Sequence, residues 1–347
     1  MKFVAPVPPT DSHHRAAAPS FSVVIAAYEA ADTISEALAS AVAQTLPATE
    51  ILVVDDGSTD NTAEIVADFG QGVKLLRQAN GGEAAAKNAG TRAASGEFVV
   101  FLDADDTFAE RRLERLAELA VARPDLDVLT TDAWIEVGTT RVRRCYDETW
   151  SFPTENQRTE IVRRNFVFGL AAVSRKRLLA SGGFDETLRF ATDWDLWCRL
   201  IFDGARVGLV DEPLASYRLR PAGLSAQRPL LLRGRCLVLE RALTRDDLSA
   251  SERSIAEASL RRERRNALVA EARWALAARS PDARRSARAL ATAAGIPIPQ
   301  RLRAALAWLA PSVAGRLLTR SHGEQPGPAG VSLPEVLRTQ ADDRAHA

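Results

Sequence analysis

The sequence predicts an α/β fold: a mixed, largely parallel sheet flanked by helices, with a helical extension at its C-terminal end. Three observations carry that expectation. Up to Asp106 short apolar runs alternate with segments of helical spacing, the pattern of a parallel sheet covered on both faces. Two of those runs, Ile51–Val54 and Phe98–Leu102, stop abruptly at carboxylates. Beyond residue 225 the composition changes to Ala, Arg and Leu at helical spacing.

Composition narrows the function. The 347 residues carry 45 Lys+Arg and 45 Asp+Glu, so no global basic excess points to nucleic acid. The balance is uneven: the acidic motifs lie before residue 215 and arginine dominates after it, which marks a two-part chain. Cys145, Cys198 and Cys236 are odd in number and widely spaced, matching neither a disulfide framework nor a zinc pattern, so a reducing compartment is the default. His13, His14, His322 and His346 all fall in the terminal segments, which excludes a histidine-ligated metal and a Ser-His-Asp triad from the core. No run of about 18 apolar residues and no signal-peptide core are present, and a cytoplasmic protein is expected.

Taken in order, residues 1–20 read as a disordered leader. Phe21–Ala26 is a short buried strand running into Ala27, Tyr28 and Glu29. Thr33 with Glu36 predicts a capping box, and Ile34, Leu38 and Val42 the apolar face of the helix that follows. Glu50–Asp55 is a second strand, followed by a helix start near Thr62. Val73–Leu76, a Gly81-Gly82 turn, a helix over Ala84–Ala94 and the strand Phe98–Leu102 complete another unit. No G-x-G-x-x-G or G-x-x-x-x-G-K occurs, so dinucleotide and P-loop readings lose their main support.

The acids at the strand ends suggest chemistry, because ligands bind at the carboxyl edge of an α/β sheet. If the chain stays extended, Asp103 and Asp105 project to one side as two oxygen donors for a hard cation, Mn2+ or Mg2+, that also holds phosphate. Alone, such a pair is better read as a turn that caps the next helix. A second acidic strand end near Asp56 reverses that preference.

The remaining elements follow. A helix over Ala109–Val121 ends before Pro124; Asp127–Thr131 and Trp134–Val137 read as two strands paired around Gly138. Residues 143–160 are an irregular loop, Val167–Val173 is another apolar run, and Arg175–Ala180 is helical. A Gly182-Gly183-Phe184-Asp185-Glu186 turn precedes a helix that Thr192 caps and Asp193 begins.

Four motifs, Ser22–Tyr28, Val53–Asp60, Ala86–Gly90 and Phe101–Asp106, resemble in order and spacing those of the family 2 glycosyltransferases, over roughly residues 20–220. The resemblance implies a GT-A fold and inverting transfer of a sugar from a nucleoside diphosphate. A carboxylate at Asp56 suits uracil, thymine or guanine rather than cytosine, which lacks the N–H it would accept, so UDP-, dTDP- or GDP-sugars are expected. By the resemblance Ala26 would lie beside the nucleotide. Tyr28 either stacks on the base or packs on the helix. Lys87 stands where the family faces phosphate or sugar; a solvated helix lysine is the alternative. By the resemblance Asp103 contacts ribose and the water shell of the metal, and Asp105 ligates the metal. Arg218, in a segment Glu212–Arg218 that resembles the end of the domain, would meet the diphosphate or remain a surface arginine. Asp193 would be the base that deprotonates the acceptor, against a simpler role at the helix dipole. Where the family has Glu before that aspartate, this chain has Thr192.

The expected plan is therefore a transferase domain over 21–225, divided into a nucleotide-binding half (21–106) and an acceptor half (107–225). A helical region (226–320) and a flexible tail (321–347) follow. In the tail helices Arg273-Trp274 resembles part of a processive-synthase motif whose glutamine position holds Ala270. The stretch Arg301–Arg320 sets Leu302, Leu306, Leu309, Val313 and Leu317 against arginines. Packing on the catalytic domain is the first expectation for it, and peripheral contact with an anionic membrane the second. Partners would be the sugar donor and a glycan, lipid-linked or small-molecule acceptor, in cell-surface glycan or glycoconjugate synthesis. Two other readings stay open. One is a catalytically silent nucleotide-sugar binding scaffold, and the other a nucleotidyltransferase, which would need a basic phosphate-gripping loop early in the chain.

Overall fold

The structure, a computed structural model, describes residues 18–309 apart from 71, 148–149, 221–226 and 279. The expected leader up to residue 17, the expected tail, and the predicted helix beyond residue 309 lie outside the described residues.

Strands β1 (Phe21–Ala27), β2 (Glu50–Asp55), β3 (Val73–Arg77) and β4 (Phe98–Asp103) pair in parallel in the order β3-β2-β1-β4. They are apolar on both faces because both are covered: Val23, Ile25, Val53 and Leu102 enter one core, Val24, Leu52, Val99 and Phe101 the other. The crossovers are α1 (Ile34–Val42), α2 (Thr62–Phe69) and α3 (Glu83–Ala93). Helix α3 lies so close to β1 that a Cβ at Gly90 would come within 2.3 Å of Val24, which only glycine permits.

The sheet continues antiparallel into β8 (Ala172–Ser174), then β6 (Val128–Val137), and parallel again into β9 (Val207–Leu219), with β5 (Thr107–Phe108) on its far edge. Between these strands run α4 (Arg112–Ala122), α5 (Gln157–Arg163), α6 (Arg175–Ala180) and α7 (Thr192–Phe202). The mixed sheet with flanking helices is the predicted fold class.

Several local expectations are corrected. The capping box at Thr33 does not form: its hydroxyl donates to the Ala30 carbonyl, and Glu36 turns instead to Arg218. Val42 is exposed, the buried face of α1 being Ile34, Ala37, Leu38 and Ala41. The two strands expected over 127–137 are one, and the hairpin at Gly138 joins it to β7 (Thr140–Arg144). Asp132, which reads as a break, stays inside the strand because its buried carboxylate accepts from Arg144 and from the Ala133 and Tyr146 N–H groups. Of the apolar run 167–173 only the last two residues are in a strand.

Helices α8 (Arg228–Leu243) and α9 (Ala250–Ala277) close one face. Cys236, Leu239, Ala256 and Leu260 share a core with Trp194 and Trp197 of α7. Helix α9 opens on a capping box, Ser249 with Glu252. Helix α10 (Ala283–Thr292) packs on α9, and α11 (Ile298–Leu309) packs on α10. The packing expected for the apolar stripe of α11 is not found among the described residues. Its buried residues are Ala304 and Ala307, while Ile298, Leu302, Leu306 and Leu309 are 61–71% exposed. No described helix is long and apolar enough to cross a membrane.

Candidate active site

The register of the sheet builds the site. Ala26 pairs with Asp103 and Ala27 with Asp55, so the carboxyl ends of β1, β2 and β4 stand abreast. Of the two adjacent acids after β2, Asp55 is structural: fully buried, it accepts from Arg77 Nε at 3.0 Å and from the Ser58 N–H. Asp56 points to the β3–α3 loop, where Oδ1 accepts from Gln78 Nε2 and the Gly81 N–H and Oδ2 from the Gly82 N–H. Tyr28 is not packed on α1; it is 53% exposed. Glu29 after it takes a left-handed backbone (φ 48), held there by hydrogen bonds with Ser58 and Thr59.

Asp103 and Asp105 do not lie on an extended strand. The chain turns directly after Asp103, and the Asp106 N–H closes the turn on the Asp103 carbonyl at 3.0 Å. Asp106 is buried, with one oxygen accepting the Arg218 N–H and the other unpaired, so this acid ties the turn to β9. Burial, and then the charges of Asp103 and Asp105, push its pKa well upward. Asp105 is likewise raised by burial and then by Asp103.

Lys87 is not a solvated helix lysine. It is 3% exposed, with Nζ 2.8 Å from Asp103 Oδ1 and a second bond to Glu83, over the rings of Phe101 and Phe184. Burial alone would favour loss of its proton, but the two carboxylates outweigh that and raise its pKa. Arg218 turns its guanidinium to Glu36 and Glu136, while the side chain facing Asp105 is Arg220, Nε to Oδ2 3.9 Å.

A divalent ion fits this turn. Asp105 is a partly exposed carboxylate beside a like charge, with no cation nearer than Arg220 among the described residues, so a nearer positive charge would relieve it. No group of three or more acidic, His or Cys ligands gathers among the described residues. Asp103 and Asp105 would thus hold the ion with diphosphate and water, a division usual for Mg2+.

On the acceptor side, Asp193 sits in the first turn of α7. The cap is Ala191 in a left-handed conformation, not Thr192, which is the first helical residue. The Asp193 carboxylate accepts from its neighbour Trp194 N–H at 2.7 Å and from Asn165 Nδ2 at 3.0 Å. Burial raises its pKa, partly countered by these bonds and by the charge of Lys87. Lys87 therefore links the acids at the end of β4 electrostatically to Asp193. Asn88 on α3 fixes the turn before α7, exchanging hydrogen bonds with the Phe184 backbone, and a Cβ at Gly183 would strike it at 2.3 Å. Asp195 is structural, bonded to Arg199 and Arg241.

Sequence reasoning missed Gln78, Glu83, Asn165 and Arg220. Each acquires its place through a partner set by the fold; Glu83 alone carried a readable signal, one turn before Lys87 on a helix.

The family described as Glycosyl transferase family 2 matches residues 22–180. The chain is 39% identical over 145 residues to the uncharacterized glycosyltransferase YibD of Escherichia coli (strain K12), covering 40% of this chain and 39% of that one. It is 30% identical over 269 residues to the succinoglycan biosynthesis protein ExoU of Rhizobium meliloti (strain 1021), covering 72% and 76%. The chain spans less than two thirds of the length of the first curated relatives it matches. In fold it is similar to S. aureus TarS 1–349 in complex with UDP-GlcNAc (TM-score 0.59, 18% identity, 89% and 95% covered). It is also similar to the mannosyltransferase PcManGT from Pyrobaculum calidifontis in complex with GDP-Man and Mn2+ (TM-score 0.56, 23% identity, 89% of each). The matched motifs, the shared fold and the length of the ExoU alignment together establish that the chain belongs to glycosyltransferase family 2.

Proposed function

We propose that the chain is a metal-dependent, inverting transferase that moves a sugar from a UDP- or dTDP-sugar to a hydroxyl of a growing glycan or glycolipid. The observation that carries this reading is the buried Lys87, which bonds the strand-end acid Asp103 and whose charge also acts on Asp193. Ala26 and Tyr28 border the base, Asp56 reads it, and Asp103 and Asp105 hold the diphosphate end through Mn2+ or Mg2+. When bound, the ion neutralises charge that builds on the leaving diphosphate. Lys87 holds Asp103 in place. Arg220 is near enough to follow the diphosphate, and Arg218 fixes β9 against the acid turn. Asp193 takes the proton of the acceptor hydroxyl while its oxygen bonds to the anomeric carbon. The bond from that carbon to the diphosphate breaks, and the nucleotide leaves with the electron pair. One displacement inverts the carbon.

Counting lone pairs narrows the nucleotide. Asp56 already accepts three hydrogen bonds, so about one of its four acceptor sites remains. Uracil and thymine offer a single imide N–H; guanine offers N1–H and N2–H side by side, and one would be left unpaired, at about 1–3 kcal/mol. Calorimetry should find UDP bound ~10-fold or more tighter than GDP. Equal or tighter GDP binding would contradict the reading of Asp56.

The acceptor reading extends to the membrane surface, on the evidence of α11. Its large apolar residues point outward, Arg301 and Arg303 flank them, and residues 280–309 hold five arginines and one acid, Asp282. That is the character of a helix lying in an anionic lipid interface. The full chain should sediment with phosphatidylglycerol vesicles and not with phosphatidylcholine alone. The exposed pair Leu302→Gln and Leu306→Gln should weaken this ~10-fold or more. No vesicle binding, or a variant that binds like the parent, excludes a lipid surface. A dimer that the same variant dissociates would assign the stripe to a second copy.

A further inference from the structure

The loop between α5 and β8 lies outside every motif, yet it places two residues, Asn165 and Gly169, beside the Asp193 carboxylate. We propose that this loop builds the acceptor entrance, Asn165 fixing the Asp193 carboxylate and Gly169 leaving open the path by which an acceptor hydroxyl reaches Oδ2. The inference rests on the reading of Asp193 as base.

Asn165 is held so that only its amide nitrogen can face Asp193: its Oδ1 accepts the Val167 N–H at 3.3 Å, and its Nδ2 donates to Asp193 Oδ2 at 3.0 Å. The loop is anchored on both sides of this contact. Tyr146 donates its hydroxyl to the Phe166 carbonyl at 2.7 Å, Trp194 Nε1 donates to the Ile161 carbonyl at 2.8 Å, and Phe166 and Val167 are buried in the core. A neutral donor in this place steers the carboxylate without adding charge. It supplies an orientation that Thr192, which has no carboxylate, does not.

Gly169 has no conformational reason to be glycine, since its φ lies outside the left-handed region. Nor does packing require it: a Cβ there would meet one atom within 4 Å, Asp193 Oδ2, at 3.7 Å. The side chain missing at 169 is therefore a space directly on the carboxylate oxygen. At the other described glycines the backbone or a contact accounts for the residue, as at Gly57 (φ 79) and Gly90. At Gly169 the open space beside Asp193 Oδ2 is the feature, and a side chain would occupy it.

The charged and titratable groups facing Asp193 come from three elements: Lys87 on α3, Arg235 on α8 and Cys198 on α7. None is altered by changes at 165 or 169, so both can be tested against a constant surround. Asn165→Ala removes a donor that favours the ionised form, so the Asp193 pKa must rise. With 13C-labelled aspartate, the Asp193 side-chain carbon should titrate at higher pH in Asn165→Ala than in the parent; an unchanged titration would overturn the positioning role. Gly169→Ala and Gly169→Val should keep thermal stability and UDP affinity. They should also cut carbodiimide–glycine ethyl ester labelling of Asp193, read by mass spectrometry, ~10-fold, the Val variant most. Labelling as fast as in the parent would overturn the entrance. Asp193→Asn separates the two levels. If it turns over normally, the base reading fails, whereas a dead Asp193→Asn beside unaffected Asn165 and Gly169 variants sinks this inference alone.

Discussion

Asp193→Asn is expected to lower turnover by ~10²–10⁴-fold while leaving nucleotide and metal affinity near those of the parent. Asparagine keeps one carbonyl oxygen to accept from Trp194 N–H or Asn165 Nδ2 while its amide N–H would face the other donor, so a thermal transition like the parent's is the control that α7 and the loop before β8 stay in place. What is lost is the ability to take a proton, without which an acceptor hydroxyl is a poor nucleophile. No histidine lies in the described residues to replace it. Burial raises the pKa of Asp193, so activity should be full above that raised value and fall as pH drops through it, the base being protonated below. The contrasting change two residues on, Asp195→Asn, loosens the Arg199 bond within α7 and the Arg241 bond from α8, and should appear as lost stability rather than lost chemistry. The measurement is steady-state turnover with donor binding by calorimetry on the same samples. Near-normal turnover of Asp193→Asn would remove it from the mechanism.

The two sides of the site differ in how far the sequence discloses them. The nucleotide side is legible because a strand buried on both faces is an unbroken apolar run, and the acids that end such runs at Asp55-Asp56 and Asp103 must lie on one sheet edge. Even there the detail was not readable: the turn after Asp103 replaces the extended strand on which the pairing of Asp103 with Asp105 was argued. Likewise, Arg218 and Arg220 could not be told apart by composition. Only the fold sends the first to Glu36 and the second toward Asp105. The acceptor side is legible only at Asp193. Asn165 is 28 residues away in sequence and carries no motif, and Gly169 is informative only through the atom that a side chain would have touched. The C-terminal helices are visible in the spacing of Ala, Arg and Leu beyond residue 225. Periodicity marks an apolar stripe but not what it faces, and α11 faces outward.

The second large effect concerns the acid turn. Asp105 is raised by burial and by Asp103, an arrangement that a divalent ion would reverse, so its removal should abolish metal-dependent binding of the nucleotide rather than merely weaken it. Asp105→Ala should still fold, because the side chain is partly exposed and its closest ionic partner, Arg220, is 3.9 Å away. Asp103 and Asp106 are unsuitable for this test, since one bonds Lys87 and the other ties down β9. The decisive measurement is a calorimetric titration of UDP into the parent and into Asp105→Ala, each with Mn2+ and with chelator. The account predicts tight binding only for the parent with Mn2+, at least ~10-fold stronger than in the other three titrations. UDP affinity in the parent that chelator leaves unchanged, or an Asp105→Ala variant that binds UDP with Mn2+ as the parent does, would contradict it.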